Sequence, residues 1–156
     1  MRSAFLPRSL RRALAGLLLA AGLAATAAEP AGIAVIVARG STLAELDRHD
    51  LALIYKRKKR FWPDGKRVAP VNLPAGQPLR RAFSVTILGH TPEELDEYWR
   101  DQYFHGELPP FVASSEEAAI RFVSSTPGAV GYVSACVADK RVAVLMVIDE
   151  GLPCPR

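Results

Sequence analysis

The chain has 156 residues, 49% of them hydrophobic, and 20 Lys and Arg against 16 Asp and Glu give a formal net charge of +4. Four of these cations, Arg2, Arg8, Arg11 and Arg12, precede the first acidic residue, so the remainder of the chain is balanced in charge. The composition therefore gives no reason to expect a nucleic-acid partner, and the length suits one domain with a proper core.

The first 28 residues have the organisation of a secretory signal peptide. The four arginines are followed by an apolar stretch over residues 13–25, and the small residues at 25–28 are typical of a cleavage site. The apolar stretch is too short for a transmembrane helix, which needs about 20 residues. We therefore expect residues 1–28 to be a cleaved signal peptide, residues 29–156 to be a single domain, and the protein to be periplasmic.

Four apolar segments predict β-strands. The first, IAVIVA, is a continuous apolar run that suits a strand buried on both faces. The predicted strands cover residues 33–38, 68–72, 129–133 and 142–148. Because they alternate with helical segments, we expect an α/β fold around a small sheet.

Capping residues predict where the helices begin. Thr42 with Glu45 forms a capping box ahead of helical sequence through residue 46 and over 50–55, and Pro78 suits the first position of a second helix, which Gly89 ends. The third helix is expected to begin at Thr91 with Glu94, and the fourth at Ser114 with Glu117. The residues expected on the inward faces of the last three helices are Leu79, Ala82, Phe83, Thr86 and Ile87, then Leu95, Trp99 and Tyr103, then Ala118, Phe122 and Val123.

Two cysteines, Cys136 and Cys154, would enter an oxidising compartment after export. The leading interpretation is a disulfide that ties the C-terminal tail to the segment after the third predicted strand, and it would stabilise the fold by about 3 kcal/mol. The alternative is a buried Cys136 and a free Cys154. The absence of a CxxC motif argues against thioredoxin-like chemistry.

The sequence contains no recognisable catalytic constellation. It lacks GxSxG, HExxH and a nucleotide-binding GxxxxGK[ST], and the three histidines, His49, His90 and His105, have no metal-ligand spacing. We expect each histidine to be a surface or helix-end residue. The sequence therefore favours a protein that is not an enzyme and that holds neither a metal nor a cofactor.

Two charged features are candidates for binding. The turn at Gly76 and Gln77, ahead of the helix that begins at Pro78, is a candidate anion site, to which Arg80 or Arg81 would add a guanidinium. The second feature is a basic run followed by two aromatic residues: Lys56, Arg57, Lys58, Lys59, Arg60, Phe61 and Trp62. It is interpreted either as a solvated helix C-terminus or as a docking patch for an acidic or lipid surface.

Several segments together resemble the periplasmic phosphate-binding proteins of ABC transporters. They are Leu53-Ile54-Tyr55-Lys56, Phe61-Trp62-Pro63-Asp64-Gly65-Lys66, Val68-Ala69-Pro70-Val71-Asn72, the segment from Gly76 to Phe83 (GQPLRRAF), and the segment from Thr126 to Val133 (TPGAVGYV). The resemblance covers residues 33–133. It implies one lobe of a type II periplasmic-binding-protein fold, with a small mixed sheet flanked by helices, and a ligand of the phosphate class. The residues that we expect to bind such a ligand are those of the candidate anion site, Asn72, Gly76, Gln77, Arg80 and Arg81.

The chain departs from this family at the phosphate-binding loop. Leu73 stands where the family has its phosphate-binding arginine, Gln77 replaces a serine and Leu79 replaces a threonine, whereas Gly76 is retained. These losses remove charge-assisted hydrogen bonds worth about 1.5–3 kcal/mol each.

Two functions are therefore expected. The first is a non-enzymatic solute-binding protein for phosphate or a related oxyanion, working with an ABC permease. The second is a degenerate single-lobe module that docks on an envelope or membrane protein without a small ligand, through the patch from Lys56 to Trp62.

Overall fold

A computed structural model describes residues 32–43, 45–149 and 154. The strands are β1 (Ile33–Ala38), β2 (Ala69–Asn72), β3 (Phe111–Val112), β4 (Ala129–Ser134) and β5 (Val142–Ile148). The helices are α1 (Arg48–Tyr55), α2 (Pro78–Phe83), α3 (Leu95–Phe104) and α4 (Glu116–Ser125), and α2 continues into a π-helical segment, Ser84–Leu88. All four predicted strands and the four helical segments are confirmed, whereas the two-residue β3 was not predicted.

The strands form one mixed sheet in the order β3-β2-β4-β1-β5. β2 pairs in parallel with both β3 and β4, whereas β1 is antiparallel to β4 on one side and to β5 on the other. Four of the five strands therefore point in one direction and β1 opposes them. The small mixed sheet that the family resemblance implies is confirmed.

The core lies on both faces of this sheet. Helix α4 packs on one face, where the α-carbon of Gly131 in β4 approaches Val71 of β2 and Val123 of α4. The next residue, Tyr132, points to the opposite face and stacks on Phe83 of α2 at 3.8 Å between ring centroids. This α/β/α layering buries the first five residues of β1, since Ile33 through Val37 are at most 1% exposed.

Three predicted helix starts are wrong, because α1, α3 and α4 begin at Arg48, Leu95 and Glu116. The residues described between 41 and 47 are not helical, and α1 begins at Arg48 because the Asp47 side chain accepts a hydrogen bond from the Asp50 amide at 2.7 Å. Thr42 instead donates to Asp64 at 3.5 Å. Helix α4 is capped by Ser115, which accepts from the Ala118 amide at 3.1 Å, and not by Ser114.

The inward faces are only partly as predicted. Phe83 and Ile87 are buried, but the π-helical segment rotates the helix so that Arg80, Ser84 and Leu88 share the buried face. On α3, Leu95 is buried, whereas Tyr103 is 63% exposed and Gln102 takes the inward position. On α4 the buried residues are Ala119, Ile120 and Val123.

The predicted capping box of the third helix is confirmed in its hydrogen bonds. The Glu94 carboxylate accepts from the Thr91 amide at 2.7 Å, and the Thr91 hydroxyl accepts from the Glu94 amide at 3.3 Å. A turn over Pro92–Glu94 then leads into α3.

The disulfide between Cys136 and Cys154 is also confirmed. Residue 154 is thereby fixed beside the loop that follows β4. The predicted signal peptide, residues 1–28, lies outside the described residues and stays a prediction. Within the residues described, no helix is both long enough and apolar enough to cross a membrane.

Replacing Gly131 with alanine should destabilise the fold. An added Cβ would lie 2.7 Å from Val71 Cγ1 and 2.9 Å from Val123 Cγ2, and both valines are buried and stiff. We expect Gly131→Ala to lower the free energy of unfolding by about 1–3 kcal/mol in urea titrations. Gly76→Ala is the matched control, because nothing lies within 4 Å of its added Cβ. Equal stability of the two variants would contradict this packing.

Candidate functional site

The parallel strands β2, β3 and β4 end at one edge of the sheet, here called the carboxyl edge. Asn72, Val112 and Ser134 are the last residues of these strands. After β2 the chain passes through α2 and α3 to β3, which lies on one side of β2. After β3 it passes through α4 to β4, which lies on the other side of β2. In open α/β sheets, ligands bind outside the carboxyl ends of strands where connections diverge in this way. The carboxyl edge is therefore the place to look for a site.

A buried polar network occupies the carboxyl edge. Arg80 Nη1 donates to Asn72 Oδ1 at 2.7 Å, and the Tyr132 hydroxyl donates to the same oxygen at 2.9 Å. The Leu73 amide in turn donates to the Tyr132 hydroxyl at 3.3 Å. One amide oxygen thus fixes an arginine from α2 and a tyrosine from β4 at the end of β2.

Three aromatic rings form the floor of this network. Tyr55 lies 4.6 Å from Phe83 and 5.8 Å from Tyr132 between ring centroids. The Tyr55 hydroxyl donates to the Val71 carbonyl at 2.8 Å, so its one polar atom is satisfied. Because Phe83 is three residues after Arg80 on α2, the two side chains lie on the same buried face of that helix.

Arg80 is a nearly buried cation that has no carboxylate partner among the residues that the structure describes. It is 7% exposed, and it forms none of the ion pairs found among the described residues. A guanidinium has five N–H donors. Arg80 Nη1 donates to Asn72, and Arg80 also lies close enough to the Tyr132 hydroxyl to lower its pKa against the larger effect of burial. None of its nitrogens is both sealed from solvent and unpaired. Its unpaired donors therefore each keep some contact with solvent, although the side chain as a whole is nearly buried.

The other residues of the predicted anion site are not gathered here. Arg81 points away and pairs with Glu93 at 2.7 Å on the surface. Gly76 is exposed on a turn that the Gln77 amide closes by donating to the Pro74 carbonyl at 3.0 Å, and the Gln77 side chain makes no capping bond to α2. Of the five residues proposed for the anion site, the structure brings Asn72 and Arg80 into contact.

The start of α4, which also faces the carboxyl edge, is already occupied by the chain's own groups. The Ser115 side chain caps the helix, and the Glu116 carboxylate accepts a hydrogen bond from the Ser134 amide at 2.5 Å. The last amide of β4 therefore already binds a carboxylate. An external anion would meet Arg80 and Asn72 rather than this helix.

The basic run from Lys56 to Arg60 is mostly paired within the fold. Lys59 pairs with Asp50 and Arg60 with Glu107, and Lys58 donates to Gln102 at 3.2 Å. Partial burial, followed by the nearby Arg67 and Arg60, lowers the pKa of Arg57. Because Lys59 and Arg60 are paired with carboxylates, this surface is less positive than the sequence suggests.

The proposed docking patch requires Trp62 on the surface, and this part of the prediction is wrong. It is 4% exposed, and its indole N–H donates to the Gly128 carbonyl at 2.9 Å, which anchors the turn over residues 62–67 to the start of β4. Phe61, at 57% exposed, remains on the surface as expected. The three histidines are exposed, as predicted.

An apolar surface that the sequence did not indicate lies beside the basic run. It consists of the end of α3, the loop after it and the edge strand β3. Its exposed members are Tyr103, Phe104, Leu108, Phe111 and Val112, each 51–81% exposed. Phe111 also stacks on Phe122 of α4 at 5.1 Å. The sequence did not predict this surface because the four-residue spacing of Leu95, Trp99 and Tyr103 indicated that Tyr103 lies in the core.

A shallow pocket of about 260 Å³ lies at the opposite end of the sheet. It is lined by hydroxyl and backbone groups of Ser41, Ser124, Ser125 and Thr126 with the paired side chains of Asp64 and Lys66. No buried unpaired cation lines this pocket, so the carboxyl edge carries the stronger case for anion binding.

No protein-family model and no curated protein sequence matches the chain, but solved structures resemble it. An ABC-type phosphate transport receptor from Vibrio cholerae has a TM-score of 0.60 at 23% identity, over 75% of this chain and 47% of its own. A candidate phosphate ABC transporter substrate-binding protein from Clostridium perfringens, solved with bound phosphate, has a TM-score of 0.61 at 23% identity, over 80% of this chain and 48% of its own. PstS from Borrelia burgdorferi has a TM-score of 0.51 at 16% identity, over 65% of this chain and 40% of its own.

These likenesses establish the fold. The chain has the α/β fold of part of the phosphate-transport substrate-binding proteins, and the resemblance predicted from its sequence is confirmed at that level. It spans about half the length of the structures it matches or less.

Burial controls the ionisation of the two tyrosines in the network. Burial raises the pKa of Tyr132 from 10.0 to about 12, and burial followed by the neighbouring Tyr132 raises that of Tyr55 well above 10.0. Between pH 10.0 and about 12 the native state therefore keeps protons that the unfolded chain releases. The free energy of unfolding should fall as pH rises through this window, by about 3 kcal/mol for Tyr132 alone.

Tyr132→Phe tests this assignment. It should reduce the alkaline loss of stability measured by urea unfolding as a function of pH, and it should cost about 1 kcal/mol at neutral pH because Asn72 loses a donor. The exposed Tyr103→Phe is the control and should leave both quantities unchanged. A Tyr132→Phe profile identical to that of the parent protein would show that Tyr132 does not govern alkaline unfolding.

Proposed function

We propose that this protein is an exported, periplasmic, non-enzymatic solute-binding protein that binds a small oxyanion, with phosphate as the first candidate. The observation that carries the proposal is Arg80, a 7% exposed guanidinium beside Asn72 at the carboxyl edge with no ion-pair partner among the described residues. The predicted signal peptide and the resemblance to phosphate-transport proteins support the same function.

A nearly buried positive charge is costly unless an anion or a set of dipoles compensates for it. Here one amide oxygen and one phenol provide partial compensation, and both are neutral at physiological pH because burial raises the pKa of Tyr132 to about 12. An oxyanion that accepts from the free N–H groups of Arg80 would supply the missing charge. The planar guanidinium suits bidentate binding of a tetrahedral or carboxylate oxyanion.

The affinity is expected to be modest. Leu73 is 1% exposed in the core and Gln77 lies on the preceding turn, so neither restores the contacts that the family's arginine and serine make. Two donors, Arg80 and the Asn72 amide, would carry most of the binding. Each charge-assisted hydrogen bond contributes about 1.5–3 kcal/mol. We therefore expect weaker binding than at a site that also has the family's arginine and serine.

The alternative function is a module that docks on an envelope or membrane protein, such as an ABC permease, without a small ligand. The observation that favours it is the exposed apolar surface from Tyr103 to Val112, near Phe61. The pairing of the basic run argues against a docking surface dominated by charge. In this alternative Arg80 would only stabilise the core.

Thermal unfolding of the purified protein with phosphate, sulfate and chloride separates the two functions. A ligand that binds the native state alone stabilises it by about 2.7 kcal/mol at a hundredfold excess over Kd, which raises the melting temperature by several degrees. We expect a saturable increase with phosphate. Arg80→Gln should abolish the increase, whereas Arg81→Gln, which removes the surface pair with Glu93, should retain it.

A second variant is needed because Arg80→Gln could lose the phosphate response simply by failing to fold. Asn72→Asp places a carboxylate next to Arg80, so the cation becomes paired internally while Tyr132 keeps its acceptor. This variant should fold and should not respond to phosphate. An unchanged phosphate response in Asn72→Asp, or no response in the parent protein at millimolar anion, would refute the oxyanion site.

A further inference from the structure

Four apolar side chains, here called the apolar tips, protrude beside the basic run. They are Phe61, Tyr103, Phe104 and Leu108, which are between 57% and 81% exposed. Phe104, at the end of α3, is the most exposed large apolar side chain of the described residues. Three of the four are aromatic, and side chains of this size are seldom left so far in solvent without a partner.

Two side-chain bonds hold the apolar tips and the basic run on one surface. Arg60 pairs with Glu107 in the loop after α3, and Lys58 donates to Gln102 of α3 at 3.2 Å. Every apolar tip follows one of these bonded residues at a distance of one or two positions in the sequence. The tips are therefore neighbours of the cations in the fold and do not form a separate patch.

The segment from residue 56 to residue 67 keeps an excess of positive charge. It contains seven Lys and Arg. Three of them form ion pairs within the fold, namely Lys59 with Asp50, Arg60 with Glu107, and Lys66 with Asp64. The other four form none of the ion pairs found among the described residues: Lys56, Arg57, Lys58 and Arg67. The in-chain pairs thus leave more than half of the segment's cations uncompensated.

The uncompensated cations lie beside the apolar tips. Phe61 and Arg67 are directly opposed in an isolated antiparallel bridge, so their side chains lie on the same side of it. Partial burial, followed by the nearby Arg67 and Arg60, lowers the pKa of Arg57, which places these guanidiniums close to one another. The acidic first turn of α3, with Asp96 and Glu97, is at the other end of that helix from the tips.

From this arrangement we propose that this surface binds an anionic lipid bilayer, with the apolar tips inserted among the headgroups and the uncompensated cations against the lipid phosphates. Aromatic and leucine side chains flanked by Lys and Arg are the composition of interfacial membrane-binding surfaces. An acidic protein would match the cations but would need a pocket for each protruding side chain. The inference is independent of the oxyanion site at the carboxyl edge.

Co-sedimentation of the purified protein with vesicles measures this binding. We expect binding to vesicles of equal parts phosphatidylcholine and phosphatidylglycerol, and at least about tenfold weaker binding to phosphatidylcholine alone. Phe104→Ser should weaken binding to the anionic vesicles about tenfold, because it removes the most exposed tip. Arg67→Gln should weaken it about fivefold, because one cation near the lipid surface is lost. Both side chains are exposed, so neither change should disturb the fold.

Two matched controls lie at the opposite edge of the sheet from β3. Val144, on β5, is 46% exposed, and Lys140 is an exposed cation in the loop before β5. Val144→Ser and Lys140→Gln should therefore bind the anionic vesicles like the parent protein. Binding by Phe104→Ser equal to that of the parent, or equal binding to both kinds of vesicle, would overturn the proposal. Binding to soluble polyglutamate but to neither vesicle would overturn it in favour of an acidic protein partner.

Discussion

The fold depends on the strand β1, which is hydrogen-bonded on both sides and runs against its two neighbours. Its residues Ile33–Val37 are sealed from solvent and contribute to the core on both faces of the sheet. Because β1 separates β4 from β5, the loop after β4 must travel back along the sheet before β5 can begin. A polar side chain within this segment would be buried without a partner, which explains its wholly apolar sequence.

The same residues that complete the core also create the candidate site. Asn72 ends β2, accepts hydrogen bonds from Arg80 and Tyr132 through one oxygen, and thereby ties α2 to the sheet. The rings of Phe83 and Tyr132 stack beneath it. The contacts that hold Arg80 in place therefore belong to the core, so the proposed site and the stability of the fold depend on the same residues. A buried cation of this kind favours a site that is preorganised rather than one that forms around its ligand.

Much of the architecture could be predicted from the sequence because its signals are local. The run IAVIVA, the capping box at Thr91 and the breaks at Gly89 and Gly128 each determine structure within a few residues. The helix start at Thr42 was wrong because Asp47 supplies a competing cap closer to α1. The strand β3 escaped prediction because two residues give no periodic pattern.

The site itself was only half predictable, for a different reason. The sequence pointed to Asn72 and Arg80, but Tyr132 joins them from 60 residues away, and nothing local indicates that contact. Trp62 is buried through its bond to the Gly128 carbonyl, which is equally remote in sequence. Tertiary contacts between distant segments decide which polar and aromatic residues are exposed, and spacing along one helix does not reveal them.

The register of β1 has a consequence for how this domain can be connected to other protein chains. Ile33 pairs directly with Ile148, so the first residue of β1 and the last residue of β5 lie at adjacent points, roughly 5 Å apart. The chain continues past β5 and is held to the fold again at Cys154 by its bond to Cys136. A protein joined on the C-terminal side would therefore be attached beside the loop after β4 and not at the end of β5.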